Sequence, residues 1–266
     1  MNTLVIGGGR GIGRAIAEGL AAHGHRVGMI ARTAAEVDET VRSLRDAGAT
    51  AWGLPADVLD RPALKAAFRR YAEAAGGLDA LVYAAGRFRA VGPMVAVEAD
   101  DWWLDVETTL RGFGHAVREA VPFLRLSTSA TISALIGPGH AGPLAFGAGY
   151  GSAQAGLARL VESLAVELGP ERIPVYAVNP GLVPTPMMAH LLEGRDGRRW
   201  LRAFTEAFAE GKEVGPEVAA EAITWLVEDR PPQLSGRVVA SLLTPDLLRT
   251  RLDRIAAEDL GKLRLR

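Results

Sequence analysis

The chain contains no cysteine. Disulfides, thiolate nucleophiles and cysteine-ligated zinc are therefore excluded. Histidine is scarce, with five scattered residues, and no metal site is expected from them. Neither sign of charge dominates: 30 Lys and Arg stand against 31 Asp and Glu, for a net charge of −1. No global field draws the protein to nucleic acid or to an anionic membrane. No apolar run reaches the roughly 20 residues that span a bilayer. The first six residues run straight into a glycine loop. That leaves no room for a secretory signal, and a cytoplasmic location is expected. Repeats, low-complexity stretches and linkers are also missing.

What is present points to one α/β domain. Hydrophobic residues make up 48% of 266 positions, enough for a sizeable core. Short apolar runs lie at 3–6, 26–30, 51–54, 78–83, 130–135, 174–178 and 237–241. Helical periodicity lies between them at 12–23, 34–47, 61–75, 100–124, 151–168 and 216–228. Strands alternating with helices predict right-handed βαβ units. The strands are apolar throughout rather than alternating, as a sheet covered on both faces requires. The expectation is a doubly wound, seven-stranded parallel sheet of the Rossmann type, spanning residues 1–244. Residues 245–266, rich in arginine, read as a helical tail that is solvated or covered in an oligomer.

The first strand ends in Val5-Ile6-Gly7-Gly8-Gly9-Arg10-Gly11-Ile12-Gly13 and opens the first helix. Glycines let the chain turn sharply and let a pyrophosphate approach the backbone. The helix start adds free N–H groups and a positive dipole end. Gly7, Gly9, Arg10, Gly11, Ile12 and Gly13 are thus expected to bind a dinucleotide.

The loop resembles that of the short-chain dehydrogenase/reductase family, whose pattern reads Thr-Gly-x-x-x-Gly-x-Gly. Ile6 replaces the threonine. Gly7, Gly11 and Gly13 are kept. Asp57-Val58 resembles the family's adenine-contacting pair. Ala85-Gly86 matches the end of its Asn-Asn-Ala-Gly, with Tyr83 and Ala84 in place of the asparagines. Pro180-Gly181-Leu182-Val183-Pro184-Thr185 is similar to the segment beside the nicotinamide, which implies contacts from Pro180, Gly181, Val183 and Thr185. The resemblance covers about residues 2–241.

NAD-preferring members place an acid at the end of the second strand to grip the ribose diol. Here that position is Ala31, followed by Arg32 and Thr33. With Arg10 in the glycine loop, two guanidiniums suit a 2′-phosphate. The expected cofactor is NADP(H).

The resemblance also implies a Ser, a Tyr, a Lys four residues later and an Asn on the fourth helix. Tyr150 matches the acid/base. Gln154 stands for the lysine, Thr109 for the asparagine and Ala134 for the serine. Ser133 can substitute only if the strand end differs from this alignment, because neighbouring strand side chains face opposite ways. The segment from Ser133 to Tyr150 is longer than the family's usual spacing, and it holds the loop Gly137-Pro138-Gly139-His140. Without an ammonium beside it, Tyr150 is expected to stay close to a pKa of about 10. Reduction of a carbonyl is then favoured over alcohol oxidation. The expected activity is NADPH-dependent reduction of a carbonyl of a small or medium apolar substrate, with Tyr150 as general acid, and two alternatives stand beside it. One is a non-redox isomerase, dehydratase or cyclase with NADP as a structural element. The other is a catalytically silent partner subunit.

Residues 186–211 hold Met187, Met188, Leu191, Trp200 and Phe204, an expected apolar lid over a small-molecule substrate. The resemblance implies a homodimer or homotetramer.

Overall fold

A computed structural model describes residues 1–264. Seven strands pair in parallel in the order β3-β2-β1-β4-β5-β6-β7. They are β1 Asn2–Ile6, β2 Arg26–Ile30, β3 Ala51–Gly53, β4 Ala80–Tyr83, β5 Thr131–Leu135, β6 Val175–Asn179 and β7 Val238–Ala240. The expected doubly wound sheet is the one that forms. Every strand lies within two residues of its expected place. The order reverses at β1 and β4, which leaves a crevice beyond their carboxyl ends.

Alternating side chains feed two cores. Leu4, Ile6, Leu81 and Ile132 face one side. There they meet α3 (Arg61–Ala75), α5 (Gly112–Leu124) and α6 (Ala148–Leu168) through Phe68, Phe113 and Leu157. Val5, Met29, Val82 and Val178 face the other. They meet α1 (Gly11–Ala22), α2 (Ala34–Asp46) and α10 (Pro216–Asp229) through Ile16, Val41 and Ile223. Double-sided burial is why the strands carry no polar alternation.

Two local departures bear on the site. Helix α6 starts at Ala148, ahead of the expected 151, so Tyr150 sits in its first turn. The expected helix over 100–124 is broken into α4 (Ala99–Val106) and α5 by a π-helical turn at Glu107–Arg111. The Tyr83 hydroxyl, reaching from β4, donates to the Thr108 carbonyl in that turn. An added Cβ at Gly112 would press on the same hydroxyl and on Val58. Tyr83 thus bonds to the turn and packs against it. Such turns concentrate at functional sites.

Residues 186–209 form α7 (Pro186–Glu193), α8 (Arg195–Trp200) and α9 (Arg202–Ala209). After β7 come α11 (Pro245–Arg249) and α12 (Leu252–Ala257). The chain then returns to the sheet edge, where Val238 N–H donates to the Gly261 carbonyl at 2.7 Å. This covers an edge otherwise open to pairing. Residues 265–266 of the expected tail lie outside the described residues. Among the described residues no helix is long and apolar enough to cross a membrane.

Candidate active site

The carboxyl ends of β1, β2, β4 and β5 open into one cleft of about 640 Å³. It is lined at one end by the glycine loop and at the other by Tyr150. Of the sixteen residues expected to touch a dinucleotide, fourteen line it: Gly7, Gly9, Arg10, Gly11, Ile12 and Gly13 in the loop, Arg32 and Thr33 after β2, Asp57 and Val58 after β3, Ala85 and Gly86 after β4, and Pro180 and Thr185 after β6.

Gly181 and Val183 do not. Gly181 has φ +78° and its N–H donates to Asn179 Oδ1 at 3.0 Å. A Cβ there would face Val214 and Leu242, not the cleft. Val183 is buried.

The loop has the shape of a phosphate cradle. Gly7 adopts φ +85°, and a Cβ on it would lie 2.7 Å from the Ala85 amide nitrogen. A Cβ on Gly13 would overlap the Gly7 carbonyl. Three backbone segments therefore pass where no side chain fits. Helix α1 begins after Arg10 with no side-chain cap. Its first N–H groups remain free for an anion.

At the β2 end Arg10 pairs with Glu36 at 3.1 Å and Arg32 approaches Asp57 at 4.0 Å. The two arginine side chains are 60% and 76% exposed. Ion pairs this exposed contribute only about 0–1 kcal/mol. An incoming anion can displace them at little cost.

The Tyr150 end differs from expectation. Ser133 points away from the cleft. It pairs in register with Val82 and Tyr176, both in the core under α1 and α10. It is fully buried and its Oγ has no protein partner. The reason is strand alternation. Ala134 faces the opposite core and is buried as well. The cleft is lined instead by Leu135, Ile136 and Gly137, where β5 ends. A Cβ on Gly137 would overlap the Tyr150 hydroxyl, closer than any other side-chain atom to that position. Gly137 is thus the residue that faces Tyr150. The excess length between Ser133 and Tyr150 was the available signal for it.

Gln154 is buried, and its Oε1 accepts from the Gly137 N–H at 2.8 Å. This side chain therefore ties the chain just beyond β5 to α6. Thr109 lies in the π-helical turn. It lines the cleft, and its buried Oγ1 has no protein partner.

Tyr150 is stacked on Phe88, with ring centroids 4.4 Å apart and planes 13° apart. Burial raises the Tyr150 pKa above its ordinary value, and the Asp105 carboxylate pushes the same way. The sequence predicts an unshifted phenol, and the structure corrects this upward. Phe88 in turn is placed by Asp105, which is fully buried. Asp105 accepts from Arg89 N at 2.9 Å and Ala90 N at 2.8 Å, and it pairs with the Arg87 guanidinium. None of Phe88, Arg87 and Asp105 carries a signal in the sequence, because each acts through a contact with a distant segment. Phe88, Val91, Leu191 and Leu201 form a small apolar cluster, with Met187, Trp200 and Phe204 packed on it.

The sequence and the fold are similar to those of known proteins. The enoyl-(acyl carrier protein) reductase family model matches residues 7–241. A short-chain reductase, NovJ of Streptomyces niveus, is 31% identical over 241 residues, covering 89% of this chain and 90% of its own. Two solved structures are similar. A single-substitution variant of the actinorhodin polyketide ketoreductase with NADPH has TM-score 0.81 and 28% identity, with 92% of this chain and 96% of that one covered. A short-chain dehydrogenase from Burkholderia cenocepacia in complex with NADP has TM-score 0.75 and 27% identity, with coverage of 90% and 95%. A family model over residues 7–241, a relative covering 89% of the chain and a solved structure covering 92% of it agree: the chain belongs to the short-chain dehydrogenase/reductase family of oxidoreductases.

Proposed function

We propose that the protein is an NADPH-dependent carbonyl reductase in which Tyr150 is the general acid. The observation that carries this is a half-buried Tyr150, its pKa raised by burial, in the same cleft as an uncapped glycine-loop helix. The bound nicotinamide supplies a hydride. The chain does the rest. Helix α1 and its loop hold the pyrophosphate. Arg10 and Arg32 accept the 2′-phosphate that Ala31 leaves room for. Tyr150 gives its proton to the substrate oxygen. Phe88 and the apolar cluster keep water from the phenol.

The reading includes an altered catalytic set: Gly137 in place of the serine, Gln154 of the lysine and Thr109 of the asparagine. With Gly137 opposite it, the Tyr150 hydroxyl lies where a serine side chain would stand. One hydroxyl then both positions and protonates the carbonyl oxygen. With no ammonium beside it, Tyr150 is a good donor and a poor base, the protonation state that carbonyl reduction requires.

Calorimetric titration with NADPH and NADH tests the cofactor. NADPH is expected to bind more tightly. Arg10→Ala and Arg32→Ala should each weaken it about tenfold to a hundredfold, the worth of a charge-assisted hydrogen bond, and leave NADH nearly unchanged. Comparable affinity for both nucleotides overturns the assignment.

Gln154→Lys tests the altered set. An ammonium near Tyr150 lowers a phenol pKa by about 1–3 units. The alkaline limb of the rate of reduction against pH should move down by the same amount. An unmoved limb means that position 154 has no electrostatic hold on Tyr150.

A further inference from the structure

The charge along the cleft is uneven. The carboxylates that line it are Glu36 and Asp57. Both lie at the glycine-loop end, within ion-pair distance of Arg10 and Arg32. At the Tyr150 end the lining residues Arg87 and Arg89 flank Phe88, and among the described residues no further carboxylate lines the cleft. Arg87 is fully taken up, because Asp101 and Asp105 both pair with it, two carboxylates to one guanidinium. Arg89 differs. Its side chain is exposed in the cleft mouth, and among the described residues no carboxylate pairs with it and no acceptor bonds its guanidinium.

Its backbone, however, is fixed. The Arg89 N–H donates to both oxygens of buried Asp105, at 3.2 and 2.9 Å, and the next N–H donates to the same carboxylate at 2.8 Å. A free guanidinium thus stands on a rigid base, one residue from the ring that covers Tyr150. Phe88, Leu104 and Met187, which line the same cleft, are apolar. Low-dielectric walls focus the field of a charge at a cleft mouth.

We propose that this end of the cleft receives an acidic carbonyl compound, with Arg89 pairing to its carboxylate and its apolar body lying between Phe88 and Met187. One unpaired cation matches a monoanion better than a phosphate dianion. A guanidinium also meets a carboxylate through two parallel hydrogen bonds. The assignment rests on the reductase reading above. In that reaction the ketone carbon gains a hydride from NADPH and its oxygen gains the Tyr150 proton. The products are the hydroxy acid and NADP⁺, and solvent returns the proton to Tyr150.

The probes are 4-acetylbenzoate and its methyl ester, titrated by calorimetry into protein saturated with NADP⁺, or into free protein if NADP⁺ does not bind. Their reduction by NADPH is followed in parallel. The acid should bind about tenfold or more tightly than the ester. Arg89→Gln should erase that preference by raising the KM of the acid, with kcat little changed. Arg89→Lys should restore part of it. Equal binding of acid and ester, binding of neither, or a preference that survives Arg89→Gln overturns the proposal. Acid-selective binding that depends on Arg89, without NADPH oxidation, leaves the acid site standing and overturns the reductase reading alone.

Discussion

Tyr150→Phe is expected to lower NADPH-linked carbonyl reduction by about 10²–10⁴-fold, the usual contribution of a positioned general acid. NADPH affinity should be unchanged, because the phenyl ring keeps both its burial and its stacking on Phe88. The loss is therefore a loss of the proton and not of the fold. The pH dependence has a definite sign. The folded-state pKa of Tyr150 lies above its ordinary value of about 10, through burial first and the Asp105 carboxylate second. The phenol stays protonated through neutral and mildly alkaline pH, and reduction should not decline there through its ionisation. For stability the same shift works in one direction. Below about pH 10 the group is neutral in both folded and unfolded chains and adds no slope. Above that it favours unfolding, because only the unfolded chain ionises. Steady-state rates of NADPH oxidation from about pH 6 to 10 check both points. A fall with an apparent pKa near 7 would assign the acid role to another group. A full rate in Tyr150→Phe would take the acid role from Tyr150.

Gly13→Ala is expected to abolish nucleotide binding. A Cβ at this position overlaps the Gly7 carbonyl, which is backbone and cannot swing aside. The turn must open, and Gly7 cannot retreat, because its own Cα faces the Ala84–Ala85 peptide. Overpacking of this kind costs about 1–3 kcal/mol in stability. The larger effect is on binding. Two or three N–H groups lose their alignment on the pyrophosphate, each worth about 1.5–3 kcal/mol to a charged acceptor. NADPH affinity should fall at least a hundredfold, read by calorimetry at a temperature where circular dichroism shows the variant folded. Gly114→Ala is the control, because that helical glycine has nothing within 4 Å of an added Cβ. It should leave binding unchanged and raise the melting temperature slightly, as removal of a helix-interior glycine does. Native-like NADPH affinity in Gly13→Ala would falsify the assignment of this turn as the phosphate cradle.

The amino-acid sequence alone determined the elements, the parallel sheet and most of the dinucleotide end of the cleft. These features are local. An apolar run bounded by turns is a strand whatever lies elsewhere. A glycine loop between a strand and a helix has one shape because few backbone conformations connect them. Arg10, Arg32 and Ala31 sit near one another because β1 and β2 are neighbours in any such fold. The Tyr150 end was decided by tertiary structure. Ser133 is turned from the cleft by the phase of β5, and a strand's phase is set by which face the two cores bury, not by its own residues. Gly137 enters the site because β5 stops before it and the chain then meets α6, a contact spanning 17 residues to Gln154. Phe88 stacks on Tyr150, Arg87 pairs with Asp105 and Tyr83 bonds to the turn at Thr108, each across a gap no periodicity encodes. Even Gly181, legible as a motif residue, faces Val214 and Leu242 because of a single hydrogen bond to Asn179. Backbone form is written in neighbouring residues, whereas the meeting of side chains at a site depends on how separate elements pack.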